Sequence, residues 1–561
     1  MGERLRFGVM CVGTTFPAWQ ARCIEDLLAV DGVEASLLIV NAGRPEPAGV
    51  LDKVRARRER GDLAWSLYRR AFVAGRSAAA RPVDLGGLLA EVPVVECRTT
   101  RRGRYSEEFR PDDVAAISAY DLDFILRFEF GIIRGDILEA ARFGVWSFHH
   151  GDERRYRGGP PAFWEIVRGD PVTGAVLQRL TDRLDGGVIL HRGTFRTVAH
   201  SYVRNRDAVY MGSADWPARV CRDIQNGTAP YLEAEPSRTE APVDRNPSAR
   251  SMVRFGATVA RNFVRAQVRA LAGQDRWRIG VIEAPIESLL DGAPRPEVRW
   301  LPAGRRETYL ADPFPVPGDA NGSILAEQYD HRTRTGRIVR VDRSGVARRI
   351  LDTGVHASYP FTFEHDGVVW CTPETVKAGR VDLYRSSVAD RGWTRVATLI
   401  DDFPAVDPTV FRHDGLWWLF CTDGARGPNT KLHAWYAADL LGPWTPHGAN
   451  PLKTDVTSSR PAGTPFVHRG RLHRPAQDAA RTYGGRVVIN EVVRLTPTEF
   501  EERVVAAVEP DPHGPCPDGV HTVSAAGART LVDGKRRGFV WRAAVHELAA
   551  RARIPMVGRT R

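Results

Sequence analysis

Apolar and polar positions alternate along the first 235 residues in segments of strand and helix length. Segments with helical spacing cover Ala18–Val30 and Gly135–Phe143. Apolar runs of strand length precede, separate and follow them, at Arg6–Val12, Val33–Val40, Val92–Glu96, Leu122–Phe128 and Val145–His149. This alternation predicts an α/β domain with a mainly parallel sheet and helices on both faces.

Residues 236–275 have a different character. Their first part is polar and contains several prolines, which is typical of a linker. Val253–Leu271 then shows helical periodicity with arginines on one side. We therefore predict a linker and a bridging helix over 236–275, after a first domain at 1–235.

From residue 276 to about 545 the pattern changes to short strands and turns that repeat. Asp366-Gly367, Asp414-Gly415 and Arg469-Gly470 each separate two strand-like runs, which predicts hairpins. The turn glycines follow one another at intervals of 48 and 55 residues. Hairpins that repeat at this spacing predict an all-β five-bladed propeller over 276–545, followed by a tail at 546–561.

Composition narrows the class of protein. The 561 residues suit two or three domains. The net charge is +11, and almost all of the positively charged side chains are arginines. An anionic partner or an arginine-rich codon usage could each explain that charge, and no nucleic-acid module is recognisable. No apolar run could span a membrane and no signal peptide is visible, so we expect a cytoplasmic protein. The seven scattered cysteines favour buried thiols over disulfides, and we expect no metal.

The chemistry of the first domain is concentrated between Gly144 and Leu190. Ser147-Phe148-His149 ends the last predicted strand, and an α/β fold binds its ligands at that end. Three glycine-containing segments follow, namely Arg157-Gly158-Gly159-Pro160, Gly169–Gly174 and Leu184-Asp185-Gly186-Gly187. An aspartate on a glycine-flanked loop can approach the histidine and fix its protonation state. We predict that His149 and Asp185 form one catalytic centre.

These motifs, in this order, resemble the formyltransferase family, which includes methionyl-tRNA, glycinamide ribonucleotide and amino-sugar formyltransferases. The resemblance covers roughly residues 5–200 and implies a Rossmann-like domain with 10-formyltetrahydrofolate as co-substrate. It also implies that His149 stabilises the intermediate or relays a proton, and that Asp185 orients His149 and accepts a proton. The Arg157-Gly158 loop is expected to contact the substrate.

One position departs from the family, because Ser147 stands where the family has asparagine. Loss of such an oxyanion donor typically costs about 10²–10³ in rate. Ser147 or the neighbouring His150 could replace the amide, the acyl group could differ, or activity could be lost.

The second domain resembles the N-terminal domain of glucosamine inositolphosphorylceramide transferases and, more distantly, five-bladed propeller glycosidases. The motifs that carry this resemblance are Ala311–Phe314, Ser358–Phe361, Pro373-Glu374, Val406–Pro408, Gly442–Trp444, Arg460–Gly463 and Arg474–Asp478. The resemblance implies that Asp312 and Asp407 face a central funnel. Candidates for a general acid are Glu374, Glu327 and Glu491, and we favour binding over hydrolysis. Arg460 and Arg474 would suit an anionic sugar.

The sequence thus predicts a multidomain enzyme, an α/β formyltransferase domain followed by a β-propeller. We expect it to transfer a formyl or related one-carbon acyl group from a folate donor to the amino group of a sugar or sugar-containing metabolite. The propeller would bind the carbohydrate, which could be an amino sugar, a nucleotide sugar or a glycoside. The alternatives are a hydrolase, either deformylase or glycosidase, and a non-catalytic carbohydrate-binding protein.

Overall fold

The computed structural model describes residues 3–43, 62–102, 106–183, 186–291, 297–304, 307–319, 322–386 and 392–539. The chain divides into two compact units, Met1–Arg261 and Asn262–Arg561. The division falls inside a helix at Ala249–Ala272. The domain limits at 235, 275 and 545 stay predictions, and the tail predicted at 546–561 lies outside the described residues.

Unit 1 contains a seven-stranded sheet. In chain order its strands are β1 (Leu5–Cys11), β2 (Val33–Asn41), β3 (Val94–Cys97), β4 (Phe124–Arg127), β5 (Val145–His149), β6 (Val172–Arg179) and β7 (Val188–Arg196). Their spatial order is β3–β2–β1–β4–β5–β6–β7. The five strands from β3 to β5 are parallel, while β6 and β7 are antiparallel additions. The predicted parallel α/β sheet is confirmed.

Both faces of this sheet are buried, as expected for parallel strands covered by helices. Phe7 and Val9 of β1 enter one apolar cluster, while Met10 enters the other. Across the middle of the sheet the rings of Phe7, Phe124 and Trp146 stack, with centroids 5.5 and 3.9 Å apart. These contacts hold β1, β4 and β5 in register at the sheet centre.

The remaining elements of unit 1 are short. The helices are α1 (Ala18–Leu28), α2 (Leu63–Tyr68, continued by a π-helical turn at Arg69–Val73), α3 (Pro111–Ser118), α4 (Trp164–Arg168), α5 (Tyr202–Ser213), α6 (Trp216–Gln225) and α7 (Ala249–Ala272). Small strand pairs form at Thr15–Pro17 with Pro82–Asp84 and at Arg157–Gly158 with Val243–Asp244, and a three-stranded sheet at Thr100–Arg102, Ser106–Glu108 and Ile132–Arg134. A 3₁₀ turn follows α6 at Pro230–Glu233.

One predicted helix is not an α-helix. Within Gly135–Phe143 the structure forms only a 3₁₀ turn, Asp136–Glu139. The chain then turns back at Gly144, whose φ of 67° suits glycine, and enters β5 directly. The segment is too short to extend a helix before this reversal.

Unit 2 is built from antiparallel sheets. Sheet I combines Gly273–Ile282 and Val298–Trp300 with Val523–Ala526 and Arg529–Phe539. Sheet II contains Thr308–Pro315, Ile324–Asp330, Thr335–Val341 and Ala347–Arg349. Sheet III contains Ser358–His365, Val368–Glu374, Val381–Ser386 and Trp393–Ile400. Sheet IV contains Ala405–His413, Leu416–Asp423 and Lys431–Ala437, with Thr445–Pro446 and Lys453–Asp455, and sheet V contains Phe466–His468, Arg471–Asp478, Arg486–Leu495 and Phe500–Val508. Two 3₁₀ turns occur at Ile286–Leu290 and Val376–Ala378.

The three predicted hairpins are present in sheets III, IV and V. In each of the turns Asp366-Gly367, Asp414-Gly415 and Arg469-Gly470, both residues have positive φ, between 47° and 81°. This is the geometry of a two-residue type I′ turn, which matches the right-handed twist of the flanking strands. The hairpin repeat read from the sequence is confirmed.

Candidate functional sites in the two units

His149 is the last residue of β5 and is half-buried at the carboxyl end of the strand. Its Nε2 lies 2.8 Å from the carbonyl oxygen of Tyr156. Because a carbonyl oxygen can only accept, Nε2 is the nitrogen that donates, and in the neutral imidazole the lone pair is then on Nδ1. Gly151 permits this contact, since a Cβ there would lie 2.9 Å from both atoms. The imidazole is therefore oriented by the backbone, with one nitrogen ready to accept a proton.

Asp185 and Leu184 lie outside the described residues, so the predicted pairing of Asp185 with His149 stays a prediction. The structure does show that Gly187, just after these two residues, lies against β6. Gly187 approaches β6 so closely that a Cβ would lie 2.5 Å from the carbonyl oxygen of Arg179. It would also lie 2.8 Å from Oε1 of Gln178, a residue paired with Ser147 across β5 and β6.

Ser147 is buried and its hydroxyl is held by Arg127, a residue that the sequence did not single out. Arg127 ends β4 and is the parallel neighbour of Ser147 on β5. Its Nε and Nη2 donate to Ser147 Oγ at 3.2 and 2.9 Å. Its Nη1 donates to the carbonyl oxygens of Phe130 and Gly131 at 3.0 and 2.6 Å. Burial lowers the pKa of this guanidinium, and Glu107 and Glu129 oppose that shift.

The other predicted residues of unit 1 are placed as follows. His150 is buried, its ring stacks on Tyr210 with centroids 3.8 Å apart, and burial lowers its pKa to about 3. Arg157 donates to the carbonyl oxygen of Ala241 at 3.0 Å. Gly158 has a φ of 80° and approaches Asp244 too closely for a side chain. Contacts of these residues with a substrate remain predictions.

In unit 2 a repeated backbone bulge directs three side chains inward. Asp312, Tyr359 and Asp407 each precede a proline, have φ between 43° and 52°, and lie at a register shift in the first strand of sheets II, III and IV. The three side chains are buried and linked across sheets. Asp312 accepts from the Tyr359 amide at 3.2 Å, and Tyr359 is within hydrogen-bond distance of Thr409 at 3.0 Å.

A cavity of about 450 Å³ opens beside these bulges. Its polar lining includes Tyr309, Asp312, Glu327, Tyr329, Glu374, Arg460 and Tyr483. Tyr309 and Tyr329 stack with centroids 5.1 Å apart, which gives the cavity an aromatic wall. Aromatic rings beside carboxyl groups suit a polyhydroxylated ligand, whose C–H faces stack and whose hydroxyls donate.

The carboxyl groups of this region differ in their partners. Asp312 accepts from the Thr522 hydroxyl at 2.8 Å, and burial raises its pKa to about 6 although His521 lies close. His521 lies between Asp533 and Asp312, at 2.6 and 3.5 Å, and these carboxylates raise its pKa against the effect of burial. Glu327 makes no hydrogen bond with any described residue, and the His356 ring lies 3.9 Å away, with a pKa that burial lowers. Burial, with Asp312 and Glu374 nearby, raises the pKa of Glu327 well above its usual range.

The two predicted arginines of unit 2 have different surroundings. Arg460 lines the cavity and binds Asp407 through Nε at 2.6 Å and Nη2 at 3.2 Å. Burial raises the pKa of Asp407 to about 7 even with this arginine beside it. Arg474 is fully buried and is bound to Glu502 and to the carbonyl oxygen of Ser458. It is not among the cavity residues, so its contact with a sugar remains only a prediction.

Of the three candidate general acids, Glu327 and Glu374 line the cavity. Glu491 is elsewhere, between Arg471 and Arg503 in sheet V. The sequence offered no signal to separate the three, because strand register decides which glutamate faces the cavity.

Comparison with known proteins agrees with this division into two kinds of domain. Residues 321–513 match the family model described as glucosamine inositolphosphorylceramide transferase 1, N-terminal. The chain is 38% identical over 217 residues to glucosamine inositolphosphorylceramide transferase 1 of Oryza sativa subsp. japonica, covering 36% of this chain and 28% of the relative. It is 40% identical over 81 residues to methionyl-tRNA formyltransferase of Caulobacter vibrioides, covering 14% of this chain and 26% of the relative.

Among solved structures, a family 117 glycoside hydrolase from Zobellia galactanivorans is similar with a TM-score of 0.31 and 12% identity, over 47% of this chain and 90% of that chain. Of the two curated relatives named above, by contrast, the chain spans less than a third of the length of each. The resemblance predicted from the sequence is confirmed: the chain carries a formyltransferase-like domain and a propeller-like domain. The curated relatives named are transferases. In the part of the chain that the structure describes, no helix has the length and apolar character needed to cross a membrane.

Proposed function

We propose that unit 1 transfers a formyl group, or a related one-carbon acyl group, from 10-formyltetrahydrofolate to the amino group of a sugar or sugar-containing metabolite. The observation that carries this proposal is His149, fixed by Tyr156 at the carboxyl end of a central strand with Nδ1 ready to accept a proton. Similarity to methionyl-tRNA formyltransferase supports the donor. The glucosamine in the name of the other relatives supports an amino sugar as acceptor.

The proposed transfer takes place in three steps. The amine nitrogen attacks the formyl carbon and the carbonyl electrons move to oxygen, which forms a tetrahedral oxyanion. The amine then loses a proton, which His149 accepts on Nδ1 with Asp185 as the proposed orienting group. Finally the bond from carbon to the folate nitrogen breaks, and that nitrogen regains a proton. One proton leaves the amine and one reaches the folate, so no further reactant is required.

We also propose that unit 1 is Rossmann-like and that sheets I to V are the five blades of a propeller, whose cavity binds the carbohydrate. The bulged first strands of sheets II, III and IV and the hydrogen bonds between them support a shared axis. Asp312 and Arg460 would contact the sugar directly, and Asp407 would hold Arg460 in place.

The test is an incubation of the full chain with 10-formyltetrahydrofolate and a panel of free and nucleotide-linked amino sugars. We expect a product heavier by one formyl group, detected by mass spectrometry. Folded protein that modifies none of a broad panel would refute formyl transfer to amino sugars. Release of formate without an acceptor would instead identify a deformylase.

Glycoside hydrolysis in unit 2 is a second candidate because of one observation, the buried Glu327 that lines the cavity with Asp312 and Glu374 and whose pKa burial raises well above its usual range. A protonated glutamate can act as general acid while an aspartate acts as base or nucleophile. Release of reducing sugar that disappears in Glu327→Gln would support hydrolysis. Sugar binding without release, in both forms, would support a binding role alone.

A further inference from the structure

We infer that Arg127 and Ser147 together form an oxyanion site beside His149, in place of the amide that the resembled family carries at position 147. This inference rests on the proposed acyl transfer, because it names the group that stabilises the intermediate. The site would take a negatively charged oxygen on a one-carbon centre, such as the tetrahedral intermediate or a formate ion.

The first argument is a count of hydrogen-bond donors. A guanidinium has five N–H groups, and Arg127 directs four of them to Ser147 Oγ and to the carbonyl oxygens of Phe130 and Gly131. The fifth, on Nη2, has no acceptor among the described residues. Ser147 Oγ accepts two of these bonds, so its own O–H also has no acceptor in the described part of the chain. Two donors without an acceptor among the described residues therefore belong to one hydrogen-bonded pair of side chains.

The second argument is charge. Every acceptor of Arg127 is a neutral oxygen, and no described carboxylate lies within ion-pair distance of it. Of the two nearest acids, Glu107 is hydrogen-bonded to Thr99 at 3.0 Å. A largely desolvated cation without a paired anion is costly unless something negative binds there. An oxyanion that forms during the reaction would supply that charge only in the transition state, which is what accelerates a reaction.

The third argument is placement. Side chains two residues apart on a strand share one face, so Ser147 and His149 lie on the same side of β5. Arg127 is the direct neighbour of Ser147 on β4, and Gln178 is its direct neighbour on β6. Gln178 is 6% exposed and its Oε1 has no hydrogen bond among the described residues. A serine is shorter than an asparagine, so the longer arginine can extend over it and bring its N–H groups to the same place.

The main experiment replaces Arg127. Arg127→Met should lower kcat for acyl transfer by about 10²–10³ and change KM little, because the donor acts on the transition state. Added guanidinium chloride should restore part of the rate, and Arg127→Lys, which keeps the charge, should lose less than Arg127→Met. The matched control is Arg110→Met, which removes a surface arginine paired with Asp113 in the same unit and should leave kcat unchanged.

A double-mutant cycle separates oxyanion stabilisation from a structural role. In Ser147→Asn the new amide supplies its own N–H, so we expect formyl transfer to be preserved or raised. Arg127→Met should then cost at least tenfold less in the Ser147→Asn background than in the wild type. Equal costs in both backgrounds would overturn the inference, because a purely structural arginine would be needed equally in each.

A binding measurement does not depend on turnover. Saturation-transfer NMR should detect sodium formate on the wild type, and Arg127→Met should weaken that binding at least tenfold while circular dichroism shows a folded chain. Formate binding that depends on Arg127, without any acyl transfer, would support the anion site and refute the proposed function. Unchanged formate binding and unchanged kcat in folded Arg127→Met would refute the site while leaving the function intact.

Discussion

Arg127 in unit 1 and Arg460 in unit 2 are both half-buried arginines at a candidate site, and they are stabilised in opposite ways. Arg460 faces the carboxylate of Asp407 through two hydrogen bonds, with Glu374 at 3.8 Å. Arg127 faces only a hydroxyl and two carbonyl oxygens among the described residues. The protein therefore pairs Arg460 with a carboxylate, whereas Glu107 and Glu129 act on Arg127 without an ion pair among the described residues.

This difference indicates what each site is suited to. A cation that keeps its charge can respond to negative charge that develops on a reacting oxygen. Arg460, which is hydrogen-bonded to Asp407, and Glu327, whose pKa is raised by burial, line the same cavity and offer polar groups to a ligand with many hydroxyls. The comparison therefore supports the proposal that unit 1 carries out the chemical step and that unit 2 recognises the carbohydrate. The predictions below test that assignment.

The largest effect is expected at His149. His149→Ala should lower turnover about 10⁴-fold, because the base that accepts the amine proton is lost. Asp185→Asn should be nearly as severe, and the double variant should cost little more, since residues that act as one unit are non-additive. Steady-state kinetics with the folate donor measures this.

Asp312→Asn is the comparison from unit 2 and should change KM for the sugar rather than kcat. Full activity in His149→Ala would remove the catalytic assignment.

Removal of Arg460, which is paired with Asp407, should damage stability more than removal of Arg127, which has no carboxylate partner within the described part of the chain. Arg460→Met leaves Asp407 buried without its partner and should cost about 3–5 kcal/mol of unfolding free energy in unit 2. Because the pKa of Asp407 is about 7, the loss should be smaller at pH 5, where this carboxyl can take up a proton. Urea unfolding at pH 5 and pH 8 measures both values. A loss that does not depend on pH would show that Asp407 is not the stranded group.

Arg127→Met should destabilise unit 1 by only about 1–2 kcal/mol. The carbonyl oxygens of Phe130 and Gly131 lose donors, but no charged group is left behind and the cost of burying a cation disappears. The same urea titration, read by a probe in unit 1, gives this value. A loss as large as that of Arg460→Met would indicate a carboxylate partner for Arg127 and would end the contrast between the two arginines.

The smallest effect concerns Glu327. A carboxyl whose pKa is raised in the folded state gives stability that is present below its ordinary pKa and is lost as pH rises through the raised pKa. Glu327→Gln should therefore leave the melting temperature unchanged near pH 4 and raise it by about 2–4 °C above pH 8. Glu491→Gln is the matched control and should not show this rise, because Arg471 and Arg503 hold the pKa of Glu491 below its usual range. A melting temperature that Glu327→Gln leaves unchanged at every pH would show that Glu327 ionises normally.

Local patterns were sufficient for most of the elements and for the position of His149 at the end of β5, although the helix predicted at Gly135–Phe143 is only a 3₁₀ turn. The apolar runs predicted β1, β2 and β5 within about one residue, and the arginine-bearing periodicity predicted most of α7. The Asp-Gly pairs gave two of the hairpin turns, because positive φ at both turn positions selects those residues. These features depend on neighbours in sequence, which a single chain displays directly.

Pairing between distant strands could not be read in this way. Arg127 follows an apolar run and gives no signal by itself, and it becomes significant only because β4 pairs with β5 and places it against Ser147. Glu327 and Glu491 are both glutamates within strands, and only the register of sheets II and V separates a cavity residue from a surface ion pair. Tertiary register, which depends on the whole core, therefore decided which polar residues meet.

Sheet I has a consequence for the order in which the protein can assemble during synthesis. Its strand Gly273–Ile282 pairs at ten positions with Arg529–Phe539, which the ribosome makes about 250 residues later. At typical rates of translation this delay is roughly 10 to 50 s, during which the earlier strand has an unpaired edge. Unit 1 can fold within that time, whereas unit 2 must wait for its last strand. Ribosome-bound chains arrested before residue 529 should therefore show a protease-resistant unit 1 and a protease-sensitive unit 2, and resistance of both would contradict this order.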